Sequence, residues 1–445
     1  MQYYNEYIRE YARFIGNYME RILMILEFAN TVLSVLFSLS FVYQFVFLIL
    51  AVFKKPVQFA PTDKRFRYAV LVSARNEENV IGNLIKSIRA QSYPAELIDI
   101  YVIADNCTDA TAEVARSEGA NVYERTDTEH IGKGYALAML YDKINEKCGF
   151  RYYDAYIVLD ADNLLDREYI SEMNKAYSAG NKIVTSYRNS KNYSDNWISA
   201  GYSLWFIREA KFMNNPRMML HTSCSVSGTG YLTDSSIIEE NGGWKYFLLT
   251  EDFEFTVDQI TKGRKIAYCN DAVFYDEQPT KFTQSWTQRS RWAKGFLQVY
   301  IKYWKELIVG LFKPKNKFAC YDMAMNIIPA IILMLIEVGV WAAIIGLTLI
   351  TAPDTVGWKI FQIVQSVVGA YFMFFGMGLI TTLVEWQRIH ASTFHKLIYL
   401  LTFPIYMVTY VPIAVSIVFR KVEWKPIKHS SSITIEDIES EKEEL

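Results

Sequence analysis

Hydrophobic and polar positions change rhythm several times along the chain. Residues 1–29 interleave charges with aromatics at helical spacing, which predicts an amphipathic helix, lying either in a bilayer interface or on an ordinary soluble surface. Residues 31–53 carry no charge. As a helix such a run is about 34 Å long, enough to cross a hydrocarbon core, so a transmembrane helix is expected over 30–53. Lys54 and Lys55 follow at once, with Lys64, Arg65 and Arg67 close behind, and these cations place the next segment in the cytosol.

From residue 68 the pattern becomes short β-branched runs. Residues 68–73, 98–104 and 155–159 read as buried strands ending at polar residues, with helices over 81–89 and 110–118 between them. That alternation predicts an α/β domain with a mostly parallel sheet over 54–295, whose ligands sit beyond the carboxyl ends of the strands. Ala74-Arg75-Asn76-Glu77, Asp105-Asn106 and Asp160-Ala161-Asp162 all fall at such ends. Past Trp292, Lys302, Lys305 and Glu306 among aromatics predict an interface helix over 296–319.

Residues 320–420 then hold two clear apolar spans, 323–350 and 360–383. The Pro353-Asp354 turn between them is poor in basic residues and is expected outside. A third run, 397–419, contains Pro404 and Pro412 and is expected to be broken or re-entrant. Glu337, in mid-span, marks a polar pathway or a hydrogen bond to a neighbouring helix. Residues 433–445 are acidic, lack aromatics and are expected to be disordered.

Composition narrows the partners. A net charge of -2 argues against nucleic acid. The five cysteines are scattered without a Cys-x-x-Cys pair, as in reduced, cytosol-facing thiols rather than a zinc framework. No cleavable signal peptide is expected, since the first apolar run lacks a small-residue cleavage site.

Four signatures carry the candidate chemistry. In Asp160-Ala161-Asp162, acids two apart on an extended segment face one side, where both could meet a hard divalent cation and its diphosphate. Asp105 precedes Asn106-Cys107-Thr108-Asp109; a helix cap accounts for Thr108 and Asp109 and leaves Asp105 free for a base or ribose. Lys133, in His130-Ile131-Gly132-Lys133-Gly134, could bring charge to a phosphate. Thr250-Glu251-Asp252 offers a carboxylate to deprotonate an acceptor hydroxyl, or simply an acidic helix start. Gln288, Arg291 and Trp292 share one helical face suited to a diphosphate and a sugar ring.

Together, Asp105, Asp160-Ala-Asp162, Thr250-Glu-Asp252 and Gln288-Arg-Ser-Arg291-Trp292 closely resemble the signatures of processive family 2 glycosyltransferases, which include cellulose, mixed-linkage glucan, poly-N-acetylglucosamine, hyaluronan and chitin synthases. The resemblance implies a cytosolic GT-A domain joined to an α-helical transmembrane region in the plasma membrane. It implies that Ala74, Glu77, Asp105 and Lys133 contact the uridine diphosphate of the donor, and that Asp160 and Asp162 hold UDP with Mg²⁺ or Mn²⁺. Asp252 would be the general base, beside Glu251, with Asp162 completing the catalytic set. Gln288 and Arg291 would bind the diphosphate, and Trp292 the end of the growing chain, with Gly228, Thr229 and Gly230 in the acceptor-lining loop.

Trp424 and Lys428, within 421–432, would form a gate over UDP, although Trp424-Lys425-Pro426-Ile427-Lys428-His429 departs from the Phe-x-Val-Thr-x-Lys pattern of cellulose synthase. No fused cyclic di-GMP-binding domain is expected. The function so implied is inverting, processive polymerisation from a UDP-sugar, favoured as UDP-glucose giving a β-glucan, with translocation across the bilayer. The alternatives are a poly-N-acetylglucosamine or hyaluronan-type synthase, or a non-processive transferase acting on a lipid.

Overall fold

The computed structural model describes residues 2–427, 429 and 431–444. The chain opens with α1 (Gln2–Ser40) and α2 (Val42–Phe53). Helix runs straight through the boundary expected at residue 29 and breaks at Phe41, inside the apolar run. The hydroxyls of Thr31, Ser38 and Ser40 donate to carbonyls four residues back, at 3.0, 2.9 and 2.8 Å. Such bonds compete with the helical ladder and bend it, an effect that a count of charges does not register.

The α/β domain is built on one eight-stranded sheet in the order β3-β2-β1-β4-β7-β6-β8-β5. Strands β1 (Tyr68–Ala74), β2 (Ile98–Asp105), β3 (Asn121–Arg125) and β4 (Ala155–Asp160) are parallel. The central strands are apolar on both faces because helices cover both. These are α3 (Ile81–Arg89), α4 (Thr111–Ser117), α5 (Lys133–Cys148) and α6 (Tyr169–Ser178).

The chain goes outward from β1 to β2 and β3, then returns to lay β4 on the other side of β1. The resulting crevice at the carboxyl ends is where a wound sheet binds ligands. Strands β5 (Leu164–Leu165) and β7 (Tyr231–Asp234) run antiparallel to their neighbours, while β6 (Ile183–Ser190) and β8 (Ala267–Asp276) pair in parallel. The expected architecture, a mostly parallel α/β sheet joined to an apolar helical region, is the one observed.

Between β6 and β7 run α7 (Trp197–Arg208), a π-helical stretch (Glu209–Asn214) and α8 (Asn215–Met219). Then come α9 (Ser235–Asn241), α10 (Glu251–Thr261) and α11 (Phe282–Leu311). The interface helix expected over 296–319 is therefore the second half of a longer helix that begins before Gln288 and ends at Leu311.

α12 (Lys317–Ile327) passes through a π-helical stretch at Pro329 into α13 (Met334–Thr351), followed by α14 (Val356–Val384), α15 (Thr393–Val408) and α16 (Tyr410–Phe419). Among the described residues four helical stretches are long and apolar enough to cross a membrane: Glu6–Phe53, Lys317–Thr351, Pro353–Val384 and Thr393–Phe419. The Pro-containing third run of the sequence bends at Thr409 and remains helical on both sides.

Buried charges tie the two regions together. Arg217 donates to both oxygens of Asp322, at 2.6 and 3.0 Å, and the Tyr43 hydroxyl donates to the same carboxylate at 2.7 Å, joining α8, α12 and α2. Arg289 on α11 donates to the Tyr406 carbonyl and the Thr409 hydroxyl at the α15–α16 bend.

The terminal segment expected to be disordered forms α17 (Ile435–Glu444). Ile435 and Ile438 pack on Leu164 and Tyr275, and Arg167 pairs with Glu439 at 2.8 Å. Ile435 and Ile438, with Ile433 beside them, dock this mostly acidic stretch, and a composition average conceals them.

Candidate active site

One cavity of about 1400 Å³ runs from the carboxyl ends of β1, β2 and β4 into the apolar helices, and almost every sequence-predicted site residue lines it. Glu77, Asp105, Lys133, Asp160, Asp162, Gly228, Glu251, Asp252, Gln288, Arg291, Trp292 and Trp424 all face this space. Three predicted residues do not. Ala74 is buried at the end of β1. The Thr229 hydroxyl is spent on the Asp160 backbone N–H, from which it accepts at 2.8 Å. Gly230 lies under Phe274 so closely that a Cβ would come within 2.2 Å of the ring. Of the expected acceptor loop only Gly228 faces the cavity, at φ +79° beside the Asp252 carboxylate. Lys428 lies outside the described residues.

The two aspartates reach their places differently from expectation. Asp160 ends β4 and a tight turn follows, closed by the Asn163 N–H on the Asp160 carbonyl at 3.1 Å. The turn, rather than alternation along a strand, turns both carboxylates to the cavity. Asp162 is buried and accepts the Glu277 N–H at 3.2 Å. Lys133, expected on a phosphate, lies on Asp160 and donates to the Gly228 carbonyl at 2.8 Å. Lys133 is placed by α5, which can pack closely on the segment at Tyr246 because residue 134 is glycine; a Cβ there would lie 2.2 Å from the Tyr246 carbonyl.

Asp105 is not free either. The β2–β3 register sets it opposite Arg125, whose guanidinium donates to it at 2.6 Å. Burial nonetheless pushes the Asp105 carboxyl above its usual range against that pull.

Glu251 and Asp252 open α10, both in the cavity. Burial raises both carboxyls, Glu251 to about 7, with the neighbouring Asp252 charge adding to the rise and the Lys133 cation opposing it. A buried carboxylate lifted in this way is a stronger base than one in water. α11 stands close against this acidic turn because of Gly295, where a Cβ would lie 2.5 Å from Thr250. Gln288, Arg291 and Trp292 are thereby brought to the carboxylates. Trp292 sits edge-on to Tyr202 and Phe206 of α7, with centroids 5.7 and 5.9 Å away.

Several contributors gave no sequence signal of their own. Arg75 lies under Trp424, its guanidinium carbon 5.1 Å from the ring centroid. Arg188 from β6 pairs with Asp276 and stacks on Phe206 at 3.5 Å. His429 donates toward Glu77 at 2.9 Å, with its other nitrogen 3.7 Å from Asp162. Although burial alone would lower its pKa, the charges of Asp162 and Glu77 win and lift it to about 10, so His429 is a cation at neutral pH. Arg75 and His429 stood inside quoted motifs without being singled out there, whereas Arg188 comes from a strand that carried no motif.

Buried polar atoms left without a protein partner point to a ligand. Among the described residues Arg75 Nη1, Gln288 Oε1 and Arg291 Nε are such atoms, and all three residues line the cavity. Two guanidinium donors aimed into one space suit a diphosphate. No group of three His, Cys, Asp or Glu side chains among the described residues forms a metal cage. Asp160 and Asp162 supply two hard oxygen donors, which fits Mg²⁺ or Mn²⁺ completed by water and substrate phosphates.

Comparisons with known proteins bear on the family and the fold. The profile of the family described as "Glycosyltransferase like family 2" matches residues 65–295. The chain is 26% identical over 278 residues to a probable glycosyltransferase, YdaM, of Bacillus subtilis, covering 58% of this chain and 60% of that protein. It is 23% identical over 237 residues to a beta-monoglucosyldiacylglycerol synthase of Synechocystis, covering 53% of this chain and 49% of that one. The match thus spans between half and three fifths of these curated relatives. A solved mannosyltransferase of Pyrobaculum calidifontis, in complex with GDP-Man and Mn²⁺, superposes with a TM-score of 0.55 at 14% identity, over 89% of this chain and 99% of that one.

Proposed function

Since the chain belongs to the family Glycosyltransferase like family 2, and is therefore a glycosyltransferase with a GT-A-like fold and apolar helices appended, we propose that it is an inverting enzyme that moves one sugar from a UDP-sugar to a hydroxyl on a bilayer lipid. The observation that carries this reading is the continuity of the cavity. The space holding Asp252 extends without interruption between α1, α13, α14 and α16, where Phe37, Phe41, Val338, Val367 and Val411 line it. A hydrocarbon tail gains by filling such a space, about 25 cal/mol for each Å² taken from water. A sugar chain there would leave hydroxyls without partners, at roughly 1–3 kcal/mol each. The names of the Synechocystis and Nostoc relatives, glucosyldiacylglycerol synthases, support an acceptor of this kind.

Asp252 takes the proton from the acceptor hydroxyl as its oxygen attacks the anomeric carbon. The bond from that carbon to the diphosphate breaks, and UDP departs with the electron pair. Arg291 and Arg75 bind the diphosphate and stabilise the charge that develops on it. A divalent ion held by Asp160 and Asp162 would supply further stabilisation of the leaving group. Lys133 holds Asp160 in place and keeps the base ionised. Attack opposite the leaving group inverts the anomeric centre. The cations at residues 54–67 support a cytosolic catalytic domain in a multi-pass plasma-membrane protein.

A second reading, processive synthesis of a β-glycan or an aminoglycan, is favoured by Trp292 lining the same cavity as Asp252, and by Trp424 lying over Arg75 and His429 against Glu77. Product analysis separates the two. Full-length protein in lipid vesicles is given UDP-glucose, UDP-GlcNAc, UDP-glucuronate or UDP-galactose with Mg²⁺ or Mn²⁺, and UDP release is followed. A lipid bearing one sugar is the expected product. A glycosidase-sensitive polymer would overturn the lipid reading and establish the second.

A further inference from the structure

Arg208 ends α7 with its side chain in the cavity, and it is only 9% exposed. Its Nη2 donates to the Gln44 side-chain oxygen of α2 at 2.8 Å and lies 3.9 Å from the Met213 sulfur, while its guanidinium carbon lies 5.1 Å from the Trp205 ring centroid. No carboxylate among the described residues lies within ion-pair distance of it. Arg125, Arg188 and Arg217, also deeply buried, each have one, Asp105, Asp276 and Asp322, whereas Arg289, fully buried as well, is met by the Tyr406 carbonyl and the Thr409 hydroxyl and lies outside the cavity lining. The nearest acid, Glu209, accepts from the Ser227 hydroxyl instead. Burial pulls the Arg208 pKa down to about 10, which still leaves a full cation at neutral pH.

A buried cation lacking a counter-charge is costly unless a ligand supplies one. What can reach it is set by the helices above. α1 and α14 are tied by an ion pair between Glu27 and Lys359. Further along, the cavity is lined by Phe41 at the α1–α2 break and Phe45 of α2 on one side, and by Val367 and Met373 of α14 on the other. Phe45, Val367 and Met373 are 66%, 49% and 54% exposed while lining it, so the cavity is open sideways on a face that a bilayer would cover.

We propose that this side opening admits an anionic phospholipid whose head carries both a phosphate and a free hydroxyl, the phosphate bound by Arg208 and the hydroxyl presented to Asp252. Such a head satisfies two demands at once. Arg208 needs an anion, whereas Asp252 needs a protonated nucleophile, and a neutral diacylglycerol meets only the second. The step balances as before: the hydroxyl proton passes to Asp252, the new bond forms at the anomeric carbon and UDP leaves. As an acceptor assignment the inference rests on the lipid reading; as a phosphate-lipid site it stands apart from it.

The test uses the full chain in neutral vesicles to which phosphatidylglycerol or diacylglycerol is added, comparing wild type with Arg208→Gln and Arg208→Lys. Labelled glycolipid is measured against lipid and UDP-sugar concentration, and retention of phosphatidylglycerol is measured by native mass spectrometry without donor. Expected are a rise of tenfold or more in KM for phosphatidylglycerol in Arg208→Gln, partial recovery in Arg208→Lys, and unchanged KM for UDP-sugar and unchanged use of diacylglycerol. Inorganic phosphate and glycerol phosphate, lacking the tail, should neither be retained nor compete. Equal retention and equal KM in wild type and Arg208→Gln would overturn the site, as would a change confined to the UDP-sugar KM. If the product is a polymer yet Arg208-dependent retention persists, the acceptor reading fails and the lipid site stands.

Discussion

At its catalytic end the cavity is walled by charges held in pairs, Asp105 with Arg125, Asp160 with Lys133 and Asp276 with Arg188, whereas at its membrane end the wall is largely aromatic and aliphatic, interrupted by Glu337 bonded to Ser34 at 2.9 Å. The paired end is stiff. Each carboxylate has its place set by a strand end, a turn or a helix start, as a site that must stabilise developing charge without reorganising requires. The apolar end fixes no single partner geometry, because dispersion and burial are non-directional. On the proposed reading, the first end governs rate and the second governs choice of acceptor.

The sharpest way to break that division is Asp252→Asn, which removes the proton acceptor and keeps the shape. Turnover should fall by about 10²–10⁴-fold with donor KM nearly unchanged, measured by UDP release. Retained activity would move the base elsewhere. Lys133→Met should come next, lowering turnover about tenfold or more through loss of the charge-assisted contact on Asp160.

Lys133→Met should also shift the pH profile. Burial raises the Asp252 and Glu251 carboxyls and the Lys133 charge pulls them down. A base works only when ionised, so activity is present above its pKa and lost as pH falls through it. Without Lys133 that pKa rises, and the acid limb of kcat/KM must move to higher pH. Movement in the other direction would remove Lys133 from the electrostatics of the base.

A smaller effect is expected for Trp424→Ala. Loss of the ring over Arg75 should raise donor KM by about two- to fivefold, the size of an exposed cation–π contact, and leave acceptor use unchanged. The smallest effect belongs to the membrane end. Phe41→Leu should change turnover less than about twofold with any donor, while altering the order in which lipids of different chain length are used, since hydrophobic swaps of similar shape are mild. A large loss of donor affinity there would end the separation of roles.

The sequence made the strand ends and the order of the motifs legible because buried parallel strands are apolar on both faces and stop at polar residues. The helix expected over 81–89 coincides with α3, and the first three predicted strands each fall one residue short. What was hidden is the pairing. Nothing local to Asp105 announces Arg125, which reaches it only through strand register, and 352 residues separate Glu77 from His429. The antiparallel insertion of β7 was hidden for the same reason, since it depends on which neighbours a short strand finds. The Gln-x-x-Arg-Trp motif was legible as a site but uninformative about its neighbour Arg289, whose buried side chain bolts α11 to the α15–α16 bend. Within Gln288-Arg289-Ser290-Arg291-Trp292, Arg291 faces the cavity and Arg289 meets protein, a distinction set by helical phase.

The placement of Trp424 and His429 has a consequence for biogenesis. Both follow the last apolar helix, Tyr410–Phe419, and both complete the mouth formed by residues made hundreds of positions earlier. A nascent chain emerging from the ribosome therefore carries Glu77, Asp160 and Asp252 long before its donor pocket has a fourth wall. The cavity is closed on this side only when the segment beyond Tyr410–Phe419 folds back onto Arg75 and Glu77.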